Sequence, residues 1–414
     1  MTSRVGCVLA CLLFSRWADA QIVSQRGFVE ARADAFPAEA PRDSTRVVGD
    51  VLLRQEVFAK PRPWLQLAAG ADLRVNSHDQ IDGDWGVDVS DRSARRPRLS
   101  LRRATATFIR GPLTLDVGKQ FIRWGKADIL NPTDRFAPRD FLNVVSTEFL
   151  PVAGMRAAVQ ATKGDVFEAV WLPRFTPSRI PLFGQRWTAL PADVAPLQVV
   201  EGGAVLPRGA QAGVRWSHVG ERAEYSVSFF DGFNHLPTIE AFVGSPTASA
   251  PRIEIVRRYP AIRSYGADLA LPTRWFIVKG EMAYVASSDV ATDEYVTYVV
   301  QLERQTGEWV LVGGYAGEVV TEQRVARTFA PDRGLTRAVT GRASYTIDTT
   351  RSMAFETAIR QNLAGAYGRV EYSQAYGPHW RATAAAIVVG GAPDDFLGQY
   401  RRNSHISFAL RYSY

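Results

Sequence analysis

The sequence predicts an all-β protein: a transmembrane, antiparallel, up-and-down β-barrel of about 16–18 strands, with short turns at one end and long loops at the other. Three observations predict it. The first is residues 406–414, where Ile406, Phe408, Leu410, Tyr412 and Tyr414 share one parity and Ser407, Ala409, Arg411 and Ser413 the other. A strand repeats every two residues, so this segment presents one wholly apolar, aromatic-tipped face. In water that face needs a core to cover it; in a bilayer, lipid covers it. The second is a regular alternation of short and long connections between apolar-alternating segments. The third is an N-terminal export signal: Arg4, an apolar run over 5–14, and Ala18-Asp19-Ala20 before Gln21. That run suits a secretory leader and falls short of the ~18 residues a membrane helix needs.

Composition narrows the class. Both cysteines, Cys7 and Cys11, lie in the leader, so the mature chain is expected to lack disulfides, thiol catalysis and Cys-ligated metals. No apolar run of membrane-helix length follows residue 20, yet the 414-residue chain is 46% hydrophobic and 11% aromatic. Barrel strands, each half apolar, reconcile these facts. The net charge of +7 is carried almost entirely by arginine. The arginines are scattered over the strands rather than gathered in one patch, which argues against nucleic acid as a partner. With no linker or charge block, the expected organisation is a signal peptide at 1–20 and a single barrel domain at 21–414.

Taken in order, strands are expected at 27–36, 47–59 and 64–75, the last two joined by a tight turn at Pro61-Arg62-Pro63, before a polar loop over 76–97. Residues 99–109 turn at Gly111-Pro112 into 113–122, and a long segment, 123–151, follows. Residues 152–162 turn at Lys163-Gly164 into 166–172, before the longest loop, 173–207. Residues 209–218 turn at Gly220 into 223–230, and another long loop runs to about residue 257. Residues 261–271 and 274–286 join at Pro272-Thr273; 295–304 and 309–320 join at Thr306-Gly307. After a loop to Gly334, 335–347 pairs with 352–362, and 367–375 pairs with 380–389 through Gly377-Pro378-His379. The last strand ends at Tyr414. Counted back from a periplasmic C-terminus, every long loop falls outside and the strand number is even, as in bacterial single-chain barrels.

With so many strands, side chains no longer fill the interior, and an aqueous lumen is expected. The polar parity supplies its candidate lining: Lys279, Glu281, Glu303, Arg342, Glu356, Arg360, Arg369, Glu371, Arg381 and Arg411. Such residues brace the wall through cross-strand ion pairs, or set a field that favours anionic or polyhydroxylated solutes. The segment 123–141 leaves its strand rich in Pro, Asp, Asn and Arg. Asn131-Pro132 and Ala137-Pro138 restrict its backbone. Its charges Arg123, Lys126, Asp128, Asp134, Arg135, Arg139 and Asp140 are expected at a constriction, with Asp128, Asp134, Arg135, Arg139 and Asp140 tied into one ion-paired knot. The loop 173–207 carries Arg174, Phe175, Arg179, Phe183, Arg186 and Trp187, residue types that stack on sugars or bind carboxylates, or that pack against neighbouring loops.

Gly118, Lys119, Gln120, Trp124, Gly125, Asn131, Pro132 and Asp134 fit the pattern G-[RK]-Q-x-x-x-W-G-x-x-x-x-x-N-P-x-D. In this stretch the chain resembles large porin-like outer-membrane barrels of Gram-negative bacteria, some loosely grouped with alginate-export barrels. Its last strand resembles the C-terminal insertion signal of such barrels, although those more often end in Phe. The resemblance implies residence in the bacterial outer membrane. Its implied partners are membrane lipid and lipopolysaccharide, the barrel-assembly machinery and small hydrophilic solutes, with a homo-oligomer as a further option.

No Walker, dinucleotide or His-x-x-x-His motif is present, and no cofactor or metal is expected. Ser404 and His405 are adjacent and so point to opposite faces of an extended strand, which disfavours a hydrolytic pair. Asp79, Asp82, Asp84 and Asp88 are expected to be solvated rather than to hold calcium. The expected function is non-enzymatic: a channel for passive or mildly selective passage of small hydrophilic solutes, anionic or sugar-like ones among them. The alternative is a closed structural or export accessory barrel, of the kind that serves surface polysaccharide, working with a periplasmic partner.

Overall fold

The computed structural model describes residues 23–128, 130–188, 198–243, 252–324 and 333–414; the expected leader at 1–20 lies outside the described residues. Eighteen strands close into one antiparallel barrel. They are β1 (Val23–Ala35), β2 (Val47–Arg62), β3 (Leu65–Asn76), β4 (Leu99–Arg110), β5 (Leu113–Gln120), β6 (Val152–Gln160), β7 (Asp165–Leu172), β8 (Gln211–Val219) and β9 (Glu224–Phe233). The second half holds β10 (Ala261–Pro272), β11 (Ile277–Ser287), β12 (Glu294–Thr306), β13 (Trp309–Glu322), β14 (Ala338–Thr346), β15 (Arg351–Arg360), β16 (Gly365–Tyr376), β17 (Trp380–Gly391) and β18 (His405–Ser413). Each strand expected from the sequence corresponds in order to one of these.

Neighbours in sequence are neighbours in the sheet, and β18 returns to pair with β1, from Phe28↔Ser413 to Ala35↔Ile406. Gly27 and Tyr414 extend that seam with reciprocal backbone hydrogen bonds of 3.0 Å. The closed ladder leaves no open edge, which the interior of a bilayer does not tolerate. Gly307 and Gly377 take φ of +55° and +62° in two of the short turns, a conformation that side chains with a Cβ adopt only under strain.

Parity decides which face meets lipid. On β18, Ile406, Phe408 and Leu410 are exposed while His405 is buried; on β11, Met282 is exposed while Glu281 is buried. The exposed parity is the apolar one, the reverse of a water-soluble barrel. Trp64, Trp275, Trp309, Tyr376, Trp380 and Tyr414 lie exposed at the short-turn rim, where an aromatic girdle meets the membrane interface.

The packed core lies inside the barrel. Ile122, Trp124 and Phe136 from the segment after β5 pack on wall residues Val152, Val170, Leu172, Phe230, Ile262 and Val285. Phe36, Trp187, Leu397 and Tyr400 from other long connections pack on Ile387 and Val389. A smaller cluster joins Phe141, Ile180 and Leu236. The long connections that supply these side chains fold inward into the lumen. Outside the wall, Gln198–Val205, Arg252–Arg258 and Thr238–Val243 form a small sheet of their own.

Candidate functional site

The segment 121–151 enters the lumen through a hinge at Gly118. This glycine has φ +122°, and a Cβ there would lie 2.0 Å from the Ala104 carbonyl oxygen. Its backbone breaks the in-out alternation, so that Lys119 and Gln120 are both buried. Lys119 Nζ then pairs with Asp91 at 2.6 Å. Beyond the hinge, Asp134 accepts hydrogen bonds from the Trp124 and Gly125 amides at 2.6 and 2.7 Å. Asn131 donates to the Ala127 carbonyl and accepts from Arg139 at 2.9 Å. The motif residues thus form the fold of the inward turn.

From there the segment visits one wall after another. The Trp124 indole donates to Glu168 of β7 and packs edge-on against Phe136 at 5.0 Å. Lys126 Nζ reaches Asp268 of β10 at 3.1 Å and Glu224 of β9 at 3.4 Å. Glu281 of β11, only 3% exposed, accepts from the amides of Lys126 (2.9 Å), Ala127 (3.1 Å) and Thr133 (2.9 Å), and from the Thr133 hydroxyl at 2.8 Å. Asp128 meets Lys279 at 3.3 Å and Gln301 of β12. Val144 and Val145 pack against the cluster that holds Ile387 and Val389. Glu148 finally reaches Arg74 of β3 at 2.9 Å and Arg54 of β2 at 3.6 Å.

The expected internal knot is corrected by this path. Among the described residues no ion pair ties Asp128, Asp134, Arg135 and Asp140 to one another. Asp134 pairs with Arg123 at 3.2 Å. Asp140, 2% exposed, accepts from Arg96 Nε at 2.8 Å and Nη2 at 2.9 Å and meets Arg179 at 3.4 Å. Arg179 continues to Asp91 at 2.8 Å. Burial alone would raise the Asp140 carboxyl; Arg96 and Arg179 outweigh it and hold it below its ordinary range. Buried charge survives only when paired and hydrogen-bonded, so each loop carboxylate is drawn to an arginine on another element.

The remaining candidates form wall pairs. Arg342 faces its register partner Glu356 at 3.5 Å, Lys279 meets Glu303 at 2.7 Å, and Arg369 bonds Glu371. Arg360 reaches Asp395 at 3.1 Å, Arg381 donates to Ser373 at 3.2 Å, and Arg411 meets Glu30 at 2.6 Å. Between the inward segment and the wall from β10 to β16 lies a cavity of about 350 Å³, lined by Asp128, Arg135, Arg139, His235, Arg342 and Glu356 together with apolar side chains.

Described residues of the loop 173–207 pack against neighbouring segments. Phe175 stacks on His235 at 5.4 Å, Arg179 is spent on Asp91 and Asp140, and Trp187 packs on Tyr400 at 5.7 Å. Arg186 lies 4.0 Å over Phe36 and donates to the Thr45 carbonyl at 2.6 Å. Ser404 bonds the Val389 backbone and His405 the Asn403 carbonyl, in separate surroundings. Asp88 accepts from the Ser90 and Asp91 amides and Asp79 pairs with Arg95; among the described residues no three potential metal ligands converge.

The model of a family described as "Protein of unknown function (DUF1302)" matches residues 104–387, more than half of the chain. The chain belongs to the DUF1302 family. No curated protein matches it. Among solved structures, this DUF1302 barrel is similar to Acinetobacter baumannii OccAB4, at 10% identity over 94% of this chain and 97% of that one, with a TM-score of 0.54. It is also similar to Pseudomonas aeruginosa OpdQ (8% identity, 95% and 98% covered, TM-score 0.53). A third is a BenF-like porin from Pseudomonas fluorescens Pf-5 (8%, 95% and 97%, TM-score 0.51). The DUF1302 chain therefore has the fold of the outer-membrane porins, and its apolar belt fits it to that bilayer. The alginate-export likeness receives no support from these matches.

Proposed function

We propose that this barrel is an outer-membrane channel for small solutes, narrowed by the inward segment 121–151. One observation carries the reading: the inward segment leaves a cavity of about 350 Å³ against one wall of a closed, lipid-fitted barrel. Rigid loops that fold into a lumen set its width, and the charges they carry set its selectivity. In this reading Arg123, Lys126, Asp128, Asp134, Arg135, Arg139 and Asp140 shape the constriction. Lys279, Glu281, Glu356, Arg360, Arg369, Glu371 and Arg411 anchor it or brace the wall. The partners in this reading are lipopolysaccharide, the assembly machinery and small hydrophilic solutes, with a homo-oligomer as a further option.

A second reading has its own support. The buried chain Arg96–Asp140–Arg179–Asp91–Lys119 fills the β3–β6 side with paired charge, as a closed accessory barrel with a periplasmic partner would need. Single-channel recording of the purified barrel in a planar bilayer separates the two. Stable current steps with a reversal potential set by a salt gradient support the channel. A folded barrel that is silent, and conducts only once Glu281→Ala frees the segment, supports the plugged barrel. Silence in both sinks the channel.

A further inference from the structure

Behind the lumenal cavity, the outer face of the wall is notched. Gly313 of β13 and Gly341 of β14 are register partners on the parity of the exposed Leu311 and Val339, which faces lipid. A Cβ at Gly313 would meet nothing within 4 Å. The missing side chains leave an apolar groove of about 410 Å³, walled by Phe276, Leu302, Leu311 and Phe355, all of them exposed. Gly341 lines the lumenal cavity as well, so at that point only backbone separates groove from lumen. Arg304 lines the groove near the short-turn rim and shares the outward parity of Val300 and Leu302. Its guanidinium lies 5.7 Å from the ring centre of Trp275, and that of Arg274 lies 5.2 Å from the same ring. Trp275 is itself 58% exposed. Among the described residues no carboxylate pairs with either arginine. Two like charges gathered on one exposed indole at the membrane interface repel each other, and a phosphate between them relieves that repulsion.

The geometry points to a binding site for one anionic phospholipid of the leaflet at the short-turn rim. Its phosphate lies between Arg274 and Arg304, whose planar guanidinium groups take phosphate oxygens through paired N–H donors. One acyl chain runs over the floor at Gly313 and Gly341 and makes the dispersion contacts that side chains make elsewhere on the wall. A headgroup amine brings a third positive charge to the two arginines, so the site favours a headgroup without one. A second copy of this chain fits the groove less well. A two-fold axis along the membrane normal sets like depth against like, and the arginines of the two copies would face each other. The site lies on the outer face and stands whether or not the lumen conducts.

Native mass spectrometry of the purified, delipidated full-length barrel in detergent tests it. The probes are phosphatidylglycerol and phosphatidylethanolamine with the same acyl chains. The expected result is one bound phosphatidylglycerol, held about tenfold more tightly than phosphatidylethanolamine. Arg274→Gln combined with Arg304→Gln should bring the two lipids to equal retention. Gly313→Leu, which fills the floor at a position with room for a side chain, should weaken both. Arg110→Gln removes a charge beside the turn of the β4–β5 hairpin, on another part of the rim, and should leave the preference unchanged. Each variant is first checked for the heat-modifiable mobility of a folded barrel, and the arginine pair carries the test if Gly313→Leu does not fold. Several outcomes overturn the proposal. They are equal retention of the two lipids by the native chain, a preference that survives loss of both arginines, one that falls as far in Arg110→Gln, undiminished binding in folded Gly313→Leu, and dimers in place of bound lipid.

Discussion

Glu30 and Arg411, 381 residues apart, meet at 2.6 Å as register partners across the seam where β1 and β18 close the barrel. Arg411 also lies 4.2 Å over the Phe28 ring. The pair sits on the lumenal face, with the arginine partly solvated, so its worth is that of a half-exposed cross-strand pair. Arg411→Ala and Glu30→Gln should each lower the unfolding temperature in detergent by only a few degrees. A double-mutant cycle should return a coupling of about 1 kcal/mol or less. A larger coupling would mean that the seam depends on this pair rather than on its backbone ladder.

Glu281 should behave differently, because its carboxylate accepts three backbone amides and a hydroxyl. Glu281→Ala leaves those donors without an acceptor, at a cost of about 2–4 kcal/mol. The barrel ladder is untouched, so the loss should appear as release of 126–133, not as unfolding. Amide exchange at Lys126, Ala127 and Thr133 should accelerate while β11 stays protected. Uniform acceleration over the whole sheet would contradict this.

His235 gives the loops a pH dependence. Burial pushes its imidazole down to about 4, although two carbonyl oxygens, of Thr176 at 2.6 Å and Arg135 at 2.8 Å, pull the other way. A histidine whose folded value lies below its unfolded 6.5 binds fewer protons when folded. Its contribution is therefore present above about pH 6.5 and is lost as the pH falls toward 4. The full effect is about 3 kcal/mol. Protease sensitivity of the loops around Thr176 and Arg135 should rise over that window in the native chain and stay flat in His235→Gln. A flat native profile would refute it.

Gly118→Ala tests the hinge. The added Cβ would meet the Ala104 carbonyl oxygen at 2.0 Å in a backbone of φ +122°, a combination that costs about 3 kcal/mol or more. A reduced yield of heat-modifiable barrel is expected. Gly280→Ala, where nothing lies within 4 Å, should fold normally and serves as the control.

The wall was legible because its code is local. On β11, Met282 and Tyr284 alternate with Lys279 and Glu281, and a period of two can be read without knowing any neighbour. Glycines and prolines marked the short turns for the same reason. The lumen was not legible, because its partners lie far apart in the chain. Asp140 finds Arg96 and Arg179, 44 and 39 residues away, and nothing in 123–141 says that its acids will prefer those to the arginines beside them. Aromatic side chains such as Phe175 and Trp187 read equally as ligand platforms or as packing, and their contacts with His235 and Tyr400 depend on the inward path of their loop.

The segment that runs from Glu281 on one side to Arg54 and Arg74 on another has a mechanical consequence. Eighteen strands fix a circumference, but a hoop of fixed circumference can be squeezed into an ellipse, and its open cross-section falls as it flattens. Lateral pressure in a bilayer pushes in that direction. A stiff strut tied by charge to separate points of the hoop resists the squeeze, so the bore of this barrel is held by 121–151 rather than by strand number.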